Sequence, residues 1–222
     1  MTTTDPRTTW PNGDVTHAHP EPGEQLPPKL LDRDRIMSAV TELLHGLGQS
    51  AKTEVMANTP RRVTDLYEEQ FNAPWLDIEA AFKVFPNDVG YDDLIVVNDC
   101  HYVSMCEHHL APALGVAHFA YVPDRWITGY SKVKKALNYL SRQPTLNERL
   151  LVTSLDFVEA HLQPKGAALV LRSVHLCLAC KANAPGQEVV TVQGFRGVLR
   201  EDPYRREFMA SVMATKPLFI GS

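Results

Sequence analysis

The sequence predicts an α+β domain, an antiparallel sheet with two helices on one face, preceded by an N-terminal helical segment. Two observations carry this. Apolar periodicity between residues 94 and 199 runs strand, strand, helix, helix, strand, strand, and ahead of it two stretches carry apolar residues at helical spacing. Strands and helices grouped in this way, rather than alternating one by one, favour an antiparallel sheet with its helices segregated to one side.

Residues 1–27 are rich in Thr, Pro, Asp, Gly and His and nearly devoid of aliphatic side chains. Such a segment buries too little apolar surface to offset its ordering entropy, so it reads as a flexible tail, with His17 and His19 solvated. A helical segment is expected over 28–75. Within it Ile36, Val40, Leu43 and Leu44 form one stripe that stops near Gly46 and Gly48. A second helix follows Thr59-Pro60, proline being acceptable in a first turn, with Val63, Leu66, Tyr67 and Phe71 as its buried face.

The remaining stretch, 76–222, reads as the main domain. Leu94 to Val97 forms a strand leading to Cys106, and Val116 to Val122 a second strand before a Pro123-Asp124 turn. Residues 126–130 read as the strand returning along that hairpin. After Ser131 the period becomes helical: Val133, Leu137 and Leu140 make one stripe, and Leu151, Leu155, Val158 and Leu162 another. Gln163-Pro164-Lys165-Gly166 ends the second helix. Strands are expected over Ala167–Leu178 and Val189–Leu199, then a helix from Pro203 to about Met213.

A net charge of −4 leaves no basic excess to neutralise a nucleic-acid polymer, although it permits a small basic pocket for one nucleotide. No stretch approaches the roughly 20 apolar residues of a membrane span, and Met1 to Trp10 lacks the apolar core of an export signal. The expected location is therefore cytoplasmic, where thiols stay reduced. Cys100, Cys106, Cys177 and Cys180 then read as metal ligands or buried thiols.

The chemistry concentrates in Cys106-Glu107-His108-His109. Cys106 and His109 are three apart, which brings both to one side of a turn. His175-Leu176-Cys177 lies in a strand-like run, where residues two apart share a face. Paired sulfur and imidazole from two separate elements suit zinc, and three protein ligands mark a catalytic site where four mark a structural one. Cys106, His109 and Cys177 supply three, leaving His108 and His175 for proton transfer; spacing alone does not say which histidines ligate. Cys180 stays open as a fourth ligand that would close the site. A redox role for Cys177-x-x-Cys180 is disfavoured, because that motif normally opens a helix and this one reads as a strand end. A zinc base deaminase would need His-x-Glu and Pro-Cys-x-x-Cys, and Leu176 precedes Cys177 here.

With these residues in place, the chain resembles the GTP cyclohydrolase I family. The resemblance rests on Ser104-Met105-Cys106-Glu107-His108-His109-Leu110, Gly129-Tyr130-Ser131-Lys132, Glu148-Arg149-Leu150, His175-Leu176-Cys177, and upstream Thr59-Pro60 with Arg62, in order over about residues 30–213. It implies the tunnelling fold, assembled as homodecamers with active sites between subunits. It implies Zn2+ held by Cys106, His109 and Cys177, and water that it activates opening the imidazole ring of GTP. His108 and His175 would move protons, Glu148 would recognise guanine beside Asn147, and Ser131 would assist at the ribose. Lys132, Lys135, Lys181 and Arg62 would meet the phosphates. Formate leaves and 7,8-dihydroneopterin triphosphate forms.

Several positions depart from the family pattern. Lys135 and Lys181 stand where arginines are common, Asp65 where a basic residue is frequent, and Asn147 where a glutamine precedes the guanine-binding acid. Lysine keeps the charge but lacks the bidentate fork of arginine. Alternatives therefore stand beside GTP: another guanine or modified purine nucleotide, or a non-catalytic member that binds a pterin or purine and keeps zinc for structure. The related nitrile reductase of queuosine biosynthesis shares the fold but works without zinc, which Cys106 to His109 argue against.

Overall fold

The computed structural model describes residues 31–49, 53–71, 78, 82–181 and 188–215. The tail expected at 1–27 lies outside them. Helix α1 (Arg33–Gly46) starts where the Asp32 carboxylate accepts from the Arg35 N–H at 2.9 Å, satisfying one of the orphan donors of a helix start. The single turn α2 (Glu54–Ala57) is capped in the same way by Thr53, and α3 (Thr59–Phe71) follows. Arg33 pairs with both Asp65 and Glu68, and Arg61 also reaches Asp65, so α1 and α3 are joined by an ionic cluster. The Arg33 guanidinium hydrogen-bonded to Asp65 holds that carboxyl below its ordinary range. The predicted apolar stripes are only partly used: Val40 is buried, whereas Leu43 and Leu66 stay exposed.

The centre is a five-stranded sheet built from β2 (Ile95–Cys106), β3 (Pro112–Val122), β5 (Pro144–Thr145), β6 (Gly166–His175) and β7 (Val189–Gly197), in the order β5-β2-β3-β6-β7. All neighbours are antiparallel except β5, which runs parallel to the end of β2. The α+β expectation holds, down to the two helices α4 (Tyr130–Ser141) and α5 (Asn147–Leu162) packed on one face. Val133, Leu137, Leu151, Leu155, Val158 and Leu162, chosen by periodicity, meet Phe119, Tyr121, Leu169 and Leu171 of the sheet. Each such fully buried side chain contributes about 1.5–3 kcal/mol through its removal from water. The Gln163 residue in left-handed conformation ends α5.

The structure adds one layer to this expectation and corrects two others. First, the opposite face of the sheet is covered too: Ala120, Val122, Ala168 and Val170 pack against Leu199, Phe208 and Val212, the last two from α7 (Tyr204–Met213). Second, the strand β4 (Trp126–Thr128) does not return along β3 but pairs with β1 (Val84–Pro86) in a separate two-stranded ribbon, and Tyr130 already belongs to α4. The edge of β3 that it would have occupied is taken by β6 over ten residue pairs, and Asn87 holds the ribbon by donating to the Asp124 carbonyl. Third, β6 ends at His175, and Leu176–Ala179 form one helical turn, α6. No helix among the described residues is long and apolar enough to cross a membrane.

One buried polar group gives the fold a pH dependence. His118, 1% exposed on β3, donates through Nδ1 to the Asn98 Oδ1 at 3.2 Å, and its Nε2 has no hydrogen-bond partner. Burial pushes its pKa below the usual histidine value near 6.5, with Asp99 opposing and Arg172 assisting. The unfolded chain therefore binds the proton more readily, so stability is fully present above about pH 6.5 and falls as pH drops toward the folded pKa. Melting temperature should decline between pH 7 and 5 less steeply in His118→Gln than in the unaltered protein. Parallel slopes would remove His118 from this role.

Candidate metal centre and active site

The cluster Cys106 to His109 occupies the turn that joins β2 to β3. The Cys106 N–H donates to the Ala111 carbonyl at 2.9 Å, and the Leu110 N–H donates to the Cys106 carbonyl at 2.8 Å. Leu110 adopts a positive φ of 49°, the reversal that lets so short a turn close. Cys106 is thus anchored as the last residue of a buried strand while His108 and His109 project into solvent.

Cys177 arrives from the other side. Contrary to the expectation from the sequence, it shares no strand face with His175. Instead His175 terminates β6 opposite Ala113 and serves as N-cap of α6, which swings Cys177 back toward the β2–β3 turn. One ligand atom each from Cys106, His109 and Cys177 lies within 4.8 Å of the other two. The Cys106 Sγ stands 3.7 Å from the His109 Nδ1. Sulfur and nitrogen ligands of a tetrahedral zinc, at about 2.3 and 2.0 Å from the ion, would be roughly 3.6 Å apart. Burial raises the pKa of Cys177, and the neighbouring Cys106 thiol raises it further. A thiol whose ionisation is hindered in this way, next to a second thiol and an imidazole, is a donor that a divalent cation relieves. The residues fit zinc. Cys180, exposed at the end of the same turn, is not part of this group.

Around the centre, His175 is half-buried, and burial lowers its pKa while the Glu148 charge opposes this. It is the neutral imidazole near pH 7. Glu148 stands exposed in the first turn of α5. Asn147, expected to touch substrate, is 3% exposed, with its amide directed at Ser173 and His175. Lys181 follows α6, and its charge acts on Cys177. Ser131 and Lys132 sit in the first turn of α4, whose N-cap is Gly129, and Lys135 is one turn on. No hydrogen bond or ion pair among the described residues joins Ser131, Lys132, Lys135 or exposed Arg62 to the cysteine–histidine cluster. Asp65, the acid that seemed set against phosphate, is neutralised by Arg33 and Arg61.

The sequence reading gave no role to Glu107 and Arg149. Arg149 donates to the Glu107 carboxylate at 2.5 Å, tying the ligand-bearing turn to the start of α5 that carries Asn147 and Glu148. Opposite charges inside two motifs 42 residues apart were the available signal.

Comparison with known proteins assigns the chain to a family. The sequence profile of the family described as GTP cyclohydrolase I matches residues 36–213. The chain is 38% identical over 187 residues to "GTP cyclohydrolase 1" of Caldanaerobacter subterraneus subsp. tengcongensis, covering 83% of this chain and 97% of that protein. It is 35% identical to the protein of the same name from Aquifex aeolicus, covering 80% and 94%, and 36% identical to that of Streptomyces avermitilis, covering 82% and 92%. Among solved structures, the archaeosine synthase QueF-Like in its apo form aligns with a TM-score of 0.39 at 20% identity, over 47% of this chain and 93% of that one. The extent of the profile match and the identity to these relatives show that the chain belongs to the GTP cyclohydrolase I family of hydrolases.

Proposed function

We propose that this protein hydrolyses GTP, opening the imidazole ring and releasing formate to give 7,8-dihydroneopterin triphosphate. One observation carries the reading: ligand atoms of Cys106, His109 and Cys177 converge within 4.8 Å, and half-buried His175 stands two residues before Cys177. Cys106, His109 and Cys177 would hold zinc, which when bound would bring the pKa of a water toward 7. The chain's own residues then do the rest. Glu148 accepts hydrogen bonds from the guanine NH and amino groups, which selects guanine over adenine. His108 delivers a proton to the departing ring nitrogen, and His175, uncharged at neutral pH, hydrogen-bonds the opened formyl group. Lys132, Lys135, Lys181 and Arg62 contribute positive charge for the phosphates, and Ser131 assists at the ribose.

The working unit is a homo-oligomer, a decamer in the family's pattern, whose neighbouring copies bring the α4 lysines to the metal centre. Exposed Leu43, Leu47, Val55 and Leu66 on the helical segment support burial against another copy. The phosphate anchors favour testing chain length directly, since Lys135 and Lys181 bind phosphate as point charges. Zinc-loaded protein incubated with GTP, GDP and GMP should release formate and, after oxidation, a fluorescent pterin, with GTP preferred. Absence of formate from every guanine nucleotide under zinc-replete conditions would refute the reading; formate from GDP or GMP alone would reassign the substrate.

A further inference from the structure

The resemblance assigns position 147 to substrate, but the structure places it elsewhere. Asn147 is 3% exposed, and its amide nitrogen lies 2.7 Å from the Ser173 Oγ and 3.0 Å from the His175 Nε2. An amide nitrogen carries two hydrogens and accepts none, so both are committed, one to each neighbour. Its Oδ1 is sealed from solvent without a partner. A side chain so placed has no atom to offer a ligand. The glutamine common here in the family is one methylene longer, which lets it reach outward; asparagine reaches only the backing of the site.

Ser173 completes the arrangement. It is fully buried, two residues before His175 on the same face of β6, and so lies directly beneath the histidine. Behind it the Tyr102 ring fills the space over Gly115, where any Cβ would stand 2.3 Å from the ring. Burial pushes the Tyr102 pKa up to about 12, with the adjacent Ser173 hydroxyl opposing, so the phenol stays protonated. Ser173 is therefore walled in and cannot drift, and Asn147 is held between it and the histidine.

We infer that Asn147, held in place by Ser173, is a positioning residue that fixes the ring orientation and tautomer of His175. With Nε2 accepting from the amide, the imidazole carries its proton on Nδ1 and offers the substrate that N–H as a hydrogen-bond donor rather than a lone pair. Asn147 thus acts through His175 and touches no substrate. This rests on the cyclohydrolase reading for its catalytic consequence, while the orientation itself is a property of the folded chain.

The test uses the full-length, zinc-loaded protein and two variants, Asn147→Leu, which keeps the shape, and Ser173→Ala, which removes only the buried acceptor. Both should retain zinc and lower kcat for formate release by roughly 10- to 100-fold, as loss of an orienting partner typically does, with KM changed less than about twofold. In both, the ratio of ring-opened formamide to released formate should shift in the direction set by His175→Ala. Carbethoxylation of His175 by diethyl pyrocarbonate, followed by peptide mass spectrometry with His108 as internal control, should be several-fold faster in both. A raised KM at unchanged kcat in Asn147→Leu would return the residue to substrate binding and overturn the inference. So would a Ser173→Ala enzyme matching the unaltered protein. If the unaltered protein released no formate, the cyclohydrolase reading would fall, and the carbethoxylation rates would still decide the orientation.

Discussion

Cys177→Ser is expected to abolish both zinc retention and formate release. Serine matches cysteine in size, and Cys177 is only half-buried in a one-turn helix, so the fold should survive the exchange. The hydroxyl, however, does not ionise at neutral pH and is a poor zinc ligand beside a thiolate. Removing a mere partner of a ligand costs roughly 10- to 100-fold in affinity or activity; removing the ligand itself should exceed that. Cys180→Ser, altering an exposed thiol outside the cluster, should retain zinc and turnover. The measurements are zinc content after desalting, formate release from GTP, and a melting curve to show that the variant is folded. Unchanged zinc content in Cys177→Ser, or its loss in Cys180→Ser, would overthrow the ligand assignment.

The second large effect is on folding. Gly197 sits at the end of β7 with φ 52° and ψ −136°, a backbone state that residues with a Cβ rarely adopt. A Cβ there would lie 2.1 Å from the Lys165 carbonyl oxygen and 2.8 Å from the Gly166 Cα, both backbone atoms. Neither can swing aside as a side chain could, because Gly166 pairs with Gly197 in the sheet and the Val198 N–H donates to that same Lys165 carbonyl. Gly197→Ala should therefore destabilise by about 3 kcal/mol or more, combining overpacking with backbone strain. For a chain of this size that lowers Tm by roughly 6–12 °C, a large share of a typical stability of about 5–15 kcal/mol. Gly46→Ala, with open space where its Cβ would be, is the control and should leave Tm nearly unchanged. A Gly197→Ala protein melting within about 2 °C of the unaltered one would contradict the steric argument.

The sequence was most legible where burial imposes a local period. Leu151, Leu155, Val158 and Leu162 announced α5 because one face of a helix recurs every three or four residues, and all four are buried. The Cys106–His109 pair was legible because its three-residue spacing survives in the tight turn that bears it. Other features depend on contacts between distant residues. That β1, rather than β3, pairs with β4 was hidden, since a three-residue strand carries no information about its partner. The apolar stripe of α1 gave the right helix but not its exposure: Leu43 is exposed, because periodicity does not say whether another element packs on a given apolar face.

What the sequence by itself determined was therefore the element order, the core faces of α4 and α5, and the three side chains of the candidate metal site, all consequences of spacing along the chain. The tertiary structure decided that Cys177 reaches the metal centre by a helical turn, that Arg149 grips Glu107, and that Asn147 faces inward to His175. The first and the last of these depend on where β6 stops, at His175. That is set by the register of ten residue pairs between β3 and β6, and a register is a property of two strands packed together.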